Sequence, residues 1–288
     1  MKQLLTITLV PATITRDPVT QVKRIKRPID GVLLLNKPVG ITSNTALQIA
    51  KRLYQAEKAG HTGTLDPFAD GLLPLCFGEA TKFSQYQLEA DKRYRAVLQL
   101  GVTTTTGDPE GEVLETCAVD VMADQVTHVV AGFVGNIMQT PPMYSALKHQ
   151  GKPLYEYARA GITIERPARP VLIRSIDILE FGGNTLVIDV TCSAGTYIRT
   201  LAEDIGHMLG CGAHLTRLTR LASGGSIWPM PLRWPSWSRT LLHSVMRDYF
   251  RRTAWSVICR DWKSTQRLQN PCCRGSVHTA GKISLKQD

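Results

Sequence analysis

Two alternating stretches between residues 171 and 192 constrain the fold of this chain more than any other feature. In VLIRSIDILEF and NTLVIDVTC, β-branched residues alternate with other side chains across a Gly-Gly-Asn turn. Alternation on both sides of a glycine-containing turn predicts a β-hairpin, whose two strands are antiparallel. The fold must therefore include an antiparallel sheet.

Helical and extended patterns follow one another irregularly in the rest of the chain. Ser43 is a candidate helix N-cap, and apolar residues from Ala46 to Tyr54 then share one helical face. Further helices are predicted at 123–133, 153–160 and 196–209, strands at 31–36, 72–77 and 92–101, and a loop at 102–111. Because strands adjoin in sequence, the predicted fold class is α+β rather than a series of βαβ units.

The two ends of the chain differ from its middle in charge and composition. Residues 1–30 and 226–288 carry net charges of +4 and +8, whereas residues 31–225 carry −2. All five tryptophans and no glutamate lie beyond residue 225. We expect a basic N-terminal extension at 1–30, a folded domain at 31–225 and an atypical basic tail at 226–288. Basic ends alone argue only weakly for an RNA partner.

Apolar runs and cysteine spacing argue against a membrane protein and a disulfide scaffold. No apolar run approaches the ~20 residues of a membrane helix. The first ten residues are followed by no clear signal-peptide cleavage site, so we expect a cytoplasmic protein. Seven cysteines without a CxxC pair predict reduced thiols and no metal site.

The segment GHTGTLDPFADG, residues 60–71, presents a carboxylate on a tight turn. Its glycines and its Asp66-Pro67 pair predict a tightly turned loop between two core elements. Pro67 biases Asp66 toward an extended conformation. Taken alone, Asp66 would more often accept hydrogen bonds from turn amides than act in catalysis, and His61 would more often be a hydrogen-bonding loop residue.

The same segment resembles the G-H-T-G-x-L-D-P-x-A-x-G signature of TruB-type pseudouridine synthases. Five other segments resemble that family in the right order: GVLLLNKPVGITSN, GEATKFSQYQLEADKRYRA, PPMYSALKHQGKPLYEYARAG, CSAGTYIRTLAEDIG and CGAHLTRLTRLASG. The resemblance runs from residue 31 to residue 224. It implies the pseudouridine synthase fold, a central, mostly antiparallel mixed sheet flanked by helices.

The resemblance implies an isomerase that converts uridine 55 in the T loop of tRNA to pseudouridine. The N1–C1′ bond breaks, and the base turns and rejoins the ribose through C5. No redox change or group donor is involved, so no cofactor is expected. By motif position, Asp66 is the nucleophile, Tyr94 stacks on uracil and offers its hydroxyl at C5, and Arg199 keeps Asp66 ionised.

Other positions of the family imply contacts with the RNA. His61 would fill the space that the flipped uridine leaves inside the folded RNA. Tyr197 would pack against the base, Leu218 would form a wall of the pocket, and Asp108 would support the site from outside it. The candidates for phosphate contact are Lys37, Lys58, Arg93, Arg95, Lys148 and Lys152.

The chain departs from the family pattern in two motifs and at its end. Thr105 stands where the family's first acidic residue usually lies, and Thr219 replaces the first arginine of Leu-Arg-Arg. Residues 226–288 resemble no C-terminal RNA-binding domain of the PUA type. This tail is either a divergent module or an out-of-frame translation.

Two other functions remain open beside the tRNA synthase. One is a non-catalytic module that binds or folds tRNA, and the other is a synthase of the same chemistry that acts on another RNA. Intact Asp66, Tyr94 and Arg199 argue against the first, and the matched loop argues against the second. We expect a monomer with no obligate protein partner.

Overall fold

A computed structural model of the chain describes residues 26–224, 226 and 227. Most of the predicted N-terminal extension and nearly all of the predicted tail lie outside these residues. The prediction of a missing PUA-type domain therefore also lies outside them. The four cysteines in the described part, at positions 76, 117, 192 and 211, are free.

The described residues form short helices and a larger number of strands. The helices are α1 (Ser43–Tyr54), α2 (Ser84–Glu89), α3 (Ala123–Ala131), α4 (Leu154–Arg159) and α5 (Ile198–Met208), with a 3-10 helix at Gly78–Phe83. The strands are β1 (Gly31–Lys37), β2 (Ala59–His61), β3 (Asp70–Phe77), β4 (Lys92–Leu100), β5 (Val102–Thr104), β6 (Val113–Thr116), β7 (Gly135–Gln139), β8 (Lys148–His149), β9 (Lys152–Pro153), β10 (Arg169–Gly182), β11 (Thr185–Cys192), β12 (Ala213–Ser223) and β13 (Ser226–Ile227).

One large mixed sheet organises the fold. Its strand order is β1-β3-β12-β4-β11-β10-β7, with β2 added to β3 and β13 added to β12. All of these pairs are antiparallel except β3 with β12, which run parallel where Thr219 faces Asp70. Together with the flanking helices, this arrangement confirms the predicted α+β class and its mostly antiparallel mixed sheet.

Two apolar layers pack against the large sheet. The larger core packs α3 and α5 against β4, β10, β11 and β12, with Leu98, Ile188, Leu201 and Ile205 fully buried. The smaller core packs α1 against β1 and β3. The 60–71 loop lies where β3 and β12 adjoin, so it joins the two layers. Within the described residues, no helix is long and apolar enough to cross a membrane.

The predicted elements agree with the observed ones at the hairpin and differ around Ser43 and residues 102–111. The hairpin is β10 and β11, whose register closes at Gly182 and Thr185. The N-cap of α1 is Thr42, which accepts a hydrogen bond from the Thr45 amide at 3.0 Å, and Ser43 is the first helical residue. The predicted loop at 102–111 begins with β5, because Val102–Thr104 pair with β6.

Candidate active site

A cavity of about 340 Å³ opens where β4, β12, α5 and the 60–71 loop meet. Its wall includes Asp66, Tyr94, Tyr197, Arg199 and Leu218, which the sequence predicted as site residues. His61, Lys37 and Asp108 do not belong to this wall. The fold therefore gathers five of the eight predicted residues around one space, from segments far apart in the chain.

Hydrogen bonds to neighbouring elements fix the shape of the 60–71 loop. The amide of Ala69 donates to the carbonyl of Asp66 at 3.1 Å, which closes a turn around Pro67. The Oγ of Ser43 accepts from the Leu65 amide at 2.8 Å and donates to the Leu65 carbonyl at 2.9 Å. Ser43 thus anchors the residue before Asp66 to the start of α1, which holds the carboxylate at the cavity.

Lys37 supports this loop from below and does not face solvent. Its side chain has 0% exposure, and its Nζ donates to the carbonyls of Pro38 and Ile41 at 2.8 Å and of Pro67 at 3.4 Å. Burial lowers the pKa of Lys37 to about 8. The prediction that Lys37 contacts phosphate is wrong for this conformation, because carbonyl oxygens of two loops already surround the ammonium.

Asp66 and Arg199 form an ion pair at the cavity wall. The Nε of Arg199 lies 3.1 Å from Oδ2 of Asp66, and the Asp66 side chain is 35% exposed. The Nη1 of Arg199 lies 3.5 Å from Oδ2 of Asp108 and donates to the Thr106 carbonyl at 3.0 Å. Its Nη2 donates to the Tyr144 carbonyl at 2.6 Å. Every nitrogen of this guanidinium therefore has a partner, which fixes the direction from which it meets Asp66.

The charge state of Asp66 reflects opposing effects. Burial raises the pKa of Asp66 above its ordinary value, and the nearby Asp108 carboxylate raises it further, whereas Arg199 lowers it. The net shift is upward. Arg199 alone would lower this pKa below its ordinary value, but burial has the larger effect.

Asp108 contacts Arg199 without belonging to the cavity wall. Its Oδ1 accepts hydrogen bonds from the Thr106 hydroxyl at 2.5 Å and from the Glu110 amide at 3.0 Å. The side chain is almost fully buried. These bonds fix the Asp108 carboxylate, so it holds the far end of the Arg199 guanidinium.

Tyr94 and Arg220 are side by side on the cavity face of the sheet. They are register partners in the β4–β12 pair, so their side chains share one face. Burial raises the pKa of Tyr94, while a hydrogen bond from the Arg220 guanidinium lowers it. The phenol therefore stays protonated near neutral pH, with a cation against its oxygen.

Tyr197 and Leu218 line the cavity from α5 and β12. The backbone of Tyr197 is clamped by the amide of Gln139, which donates to the Tyr197 carbonyl at 3.0 Å and accepts from its N–H at 2.8 Å. The guanidinium of Arg169 lies 5.4 Å from the centre of the Tyr197 ring. Leu218 is almost fully buried two residues before Arg220. Both side chains offer apolar surface of the kind that packs against a base.

His61 ends β2, beside the cavity rather than in its wall. Its Nδ1 is buried and has no hydrogen-bond partner within the described part of the chain. Burial, followed by the charge of Arg220, lowers the pKa of His61 below its ordinary value. The ring is therefore neutral at neutral pH.

The remaining candidates for phosphate contact are on the surface. Arg93 and Arg95 lie on the face of β4 opposite to Tyr94, where both bind the buried carboxylate of Asp189 at 2.8 Å. Lys58, Lys148 and Lys152 are exposed. None of these side chains lines the cavity.

Sequence reasoning missed Arg220 and Lys92 as cavity residues. The motif LTRLTR carried the signal, since Leu218 and Arg220 are two positions apart and must share one face of a strand. Lys92 carried the same signal relative to Tyr94. Net charge alone identifies neither residue, because it carries no information on which side chains face a cavity.

Two family models match this chain. The model of the TruB family pseudouridylate synthase N-terminal domain matches residues 51–198. The model of the tRNA pseudouridylate synthase B C-terminal domain matches residues 199–230, which include α5 and β12.

Curated relatives share most of the described region. A tRNA pseudouridine synthase B of Thiobacillus denitrificans is 68% identical over 203 residues, which cover 70% of this chain and 68% of the relative. The protein of the same name from Burkholderia mallei is 64% identical over 199 residues, 69% of this chain and 66% of the relative. The aligned part thus spans about two thirds of these relatives' length.

Solved structures share the fold. A Cbf5-Nop10-Gar1 complex contains a chain that is 32% identical, with a TM-score of 0.57 over 78% of this chain and 56% of that chain. An H/ACA RNP bound to a substrate RNA containing 2′-deoxyuridine gives 28% identity and a TM-score of 0.54, over 79% of this chain and 56% of that chain.

Proposed function

Because the chain belongs to the TruB family of pseudouridylate synthases, which are isomerases, we propose that it converts uridine 55 of tRNA to pseudouridine with Asp66 as nucleophile. The observation that carries this proposal is the Asp66–Arg199 ion pair at the wall of a cavity that also contains Tyr94. These are an anionic nucleophile, a group that orients it and a group that can meet the base.

The carboxylate acts in its ionised form. Attack at C1′, addition at C6 and removal of a ribose proton all require a free electron pair on an Asp66 oxygen. Arg199 approaches Asp66 through Nε on Oδ2, which leaves Oδ1 to face the substrate. Arg199 favours the ionised form against the effect of burial. Because its other nitrogens are fixed by Thr106, Tyr144 and Asp108, Arg199 also positions the carboxylate.

The cavity suits a single extruded pyrimidine nucleoside. Tyr94 forms one wall with its ring and directs its hydroxyl toward Arg220. Leu218 and Tyr197 supply apolar surface on other sides. Extrusion of a stacked base costs a few kcal/mol, and stacking against such side chains offsets part of it.

His61 is proposed to occupy the space that the base leaves in the RNA. It lies five residues before Asp66 on the same loop, and its ring is half-buried. A neutral ring stacks in an RNA loop without adding charge. The low pKa of His61 supports this role, because the ring stays neutral at physiological pH.

The tRNA substrate is inferred from the printed names of the relatives, tRNA pseudouridine synthase B. Exposed basic residues near the site, Lys148 and Lys152, are proposed to contact its phosphates. The expectations of a monomer without obligate partners and of a cytoplasmic location stay predictions.

The experiment that tests the proposal follows tritium released from uridine C5 in a tRNA transcript. The wild-type chain should release one equivalent per tRNA, and Asp66→Asn should release none, since an amide is a poor nucleophile. A transcript with cytidine at position 55 shows whether the target is that uridine. Asp177→Asn is the matched control, because this carboxylate is exposed on β10 and far from the cavity.

Each other outcome has a defined meaning. Release that survives Asp66→Asn overturns the assignment of the nucleophile. Release from the cytidine 55 transcript indicates another target uridine. Binding of tRNA by a wild-type chain that releases no tritium supports the non-catalytic module instead.

A further inference from the structure

Arg220 is a buried cation that has no carboxylate partner within residues 26–224. Its side chain is 1% exposed, and none of the ion pairs in the described residues includes it. Arg199, equally buried, has two carboxylates. Burial of an unpaired charge is strongly unfavourable, so a protein that retains one usually provides it with an anion at some stage of its function.

Arg220 is fixed rigidly against the loop that carries Asp66. Its Nε donates to the Leu72 carbonyl at 2.6 Å, and its Nη2 donates to the Gly63 carbonyl at 3.2 Å. Gly63 has a φ of 108°, and a β-carbon there would lie 3.4 Å from Nη1 of Arg220. The guanidinium thus contacts the loop at Gly63, three residues before the proposed nucleophile, and forms part of the cavity wall.

The other buried cations near the cavity have no free donors. The Lys92 ammonium donates to the carbonyls of Gln87 at 3.1 Å and of Leu88 and Ala90 at 2.5 Å. The Lys37 ammonium likewise donates to three carbonyls. A guanidinium has five N–H donors, and only two carbonyls and the Tyr94 oxygen accept from Arg220, which leaves donors free. Arg220 is therefore the cation available to a ligand beside Tyr94.

The proposed reaction creates an anion in this cavity. In the route that begins with attack on C1′, Asp66 bonds to C1′ and the electron pair of the N1–C1′ bond stays on the base, which becomes a uracil anion with charge on N1 and the carbonyl oxygens. The base turns, C5 attacks C1′, and the carboxylate leaves with its electron pair. C5 then loses its proton and N1 gains one, so the overall change is an isomerisation.

Resting on the function proposed above, we propose that Arg220 is the counter-charge of this detached uracil anion. The cation faces the base from the same strand pair as Tyr94 and holds it while it turns. A fixed donor that is directed at a charge present only during the reaction stabilises the transition state more than the bound substrate. Arg220 thereby acts on turnover rather than on RNA affinity.

The test compares uridine with 5-fluorouridine at the target position of the tRNA transcript. Fluorine withdraws electrons and stabilises the uracil anion by itself, so cleavage should depend less on Arg220. Single-turnover loss of the parent nucleoside is followed by nuclease digestion and chromatography. For Arg220→Gln, which removes the positive charge, we expect an about 100-fold slower reaction with uridine. The loss with 5-fluorouridine should be smaller by about fivefold or more.

The controls separate charge stabilisation from folding and binding. Arg217→Gln removes the charge of another arginine of β12 that is 67% exposed on the opposite face, and it should react like wild type. The dissociation constant of the tRNA should be unchanged in Arg220→Gln. Equal losses with the two nucleosides, or a loss of affinity alone, would overturn the proposal and leave Arg220 a structural residue.

A measurement on the wild-type chain covers the case in which the Arg220 variants do not fold. Free 5-nitrouracil is anionic near neutral pH, whereas uracil is neutral. We expect 5-nitrouracil to inhibit the wild-type reaction at concentrations about tenfold lower than uracil. Equal inhibition by 5-nitrouracil and uracil would overturn the proposal that Arg220 is the counter-charge of the base. If wild type does not convert uridine at all, both the proposed function and this inference fail. If wild type converts uridine but the tests of Arg220 give the contrary result, only this inference fails.

Discussion

On each side of the sheet near β4, one aspartate binds arginine, and the pKa values of the two aspartates shift in opposite directions. On the outer face, Asp189 is 1% exposed and binds both Arg93 and Arg95 at 2.8 Å. On the cavity face, Asp66 is 35% exposed and binds Arg199 at 3.1 Å. Burial raises the pKa of Asp189, but its two arginines outweigh burial and lower it overall. Burial raises the pKa of Asp66, and its single arginine does not compensate.

Burial is the largest cause acting on both pKa values, and the two sites differ in the cations that oppose it. Asp189 has two guanidinium groups for one carboxylate, and both are half-exposed, so they remain partly solvated. Arg199 serves Asp66 and Asp108 together, and its charge also acts on Glu203. Two arginines keep the pKa of Asp189 below its ordinary value, whereas the single shared arginine leaves the pKa of Asp66 above its ordinary value. The first region is therefore a stabilising ion cluster, and the second is where we propose the nucleophile.

Removal of the shared cation, Arg199, should have the largest effect on the free energy of unfolding. Arg199→Met leaves the buried Asp108 and the carbonyls of Thr106 and Tyr144 without their donor. Breaking one partner of a buried pair costs about 3–5 kcal/mol of the free energy of unfolding. Urea unfolding measures this change. Arg95→Met is the control, and it should cost less than about 1 kcal/mol, because the side chain is 49% exposed and Arg93 still binds Asp189. Similar costs for both variants would remove the contrast between the two faces.

Replacement of Asp189 should have an intermediate effect on the free energy of unfolding. Asp189→Asn should reduce the free energy of unfolding by about 1–3 kcal/mol, because two arginines lose their charged acceptor. The pKa of Asp189 is lower in the folded state, so its contribution is present above the unfolded pKa of ~3.9 and lost as pH falls through the folded pKa.

Unfolding of wild type and Asp189→Asn at pH 7 and in acid checks this sign. The difference between the two chains should shrink at acidic pH. Asp177→Asn, at the exposed position paired with Asp189 on β10, should change little at either pH. A difference that grows in acid would contradict the lowered pKa.

Replacement of Asp66, the proposed nucleophile, should not reduce the free energy of unfolding. The folded state raises the pKa of Asp66, so it holds the proton more tightly than the unfolded chain does, and ionisation at neutral pH opposes folding. Asp66→Asn removes that charge and keeps the shape. We expect a free energy of unfolding equal to or above that of wild type, within the ~10–15% uncertainty of extrapolation. A clear loss of stability would place Asp66 in the same class as Asp189.

The smallest effect concerns the acidic limb of the pH–activity profile. Activity requires ionised Asp66, so kcat/KM should fall at a pH above the ordinary aspartate value of ~3.9. Asp108 raises the pKa of Asp66. Asp108→Asn should therefore move the acidic limb to lower pH, while Asp177→Asn leaves it in place. If the acidic limb of the Asp108→Asn profile moves to higher pH instead, Asp108 acts mainly by orienting Arg199.

The sequence was sufficient where a structural cause is local. The 171–192 hairpin was predicted because alternation and a glycine turn specify two adjacent strands, and β10 and β11 follow that register. Helices at 123–133 and 196–209 were predicted because one apolar face repeats, and α3 and α5 confirm them. The family was identified from a loop and five motifs, and the comparisons confirm it.

The sequence was insufficient where the partner of a side chain lies far away. Ser43 was predicted to cap its own helix, but its hydroxyl binds Leu65, and the adjacent Thr42 caps α1. Lys37 was predicted to face phosphate, but the 60–71 loop covers it. In both cases the side chain had a plausible local use, and tertiary packing supplied a stronger one.

By itself, the sequence determined which residue types are present and which of them share a strand or helix face, because those relations depend on spacing alone. It thereby gave Asp66, Tyr94 and Arg199 their candidate roles through motif resemblance. Only the tertiary structure decided how charge is distributed among them. The parallel contact of β3 with β12 brings Arg220 beneath the Asp66 loop, and Gly71, with a φ of 110°, permits it because a β-carbon there would lie 2.5 Å from the Arg220 carbonyl. Burial and shared counter-charges, which depend on distances between remote segments, then distinguish Asp66, the proposed nucleophile, from Asp189.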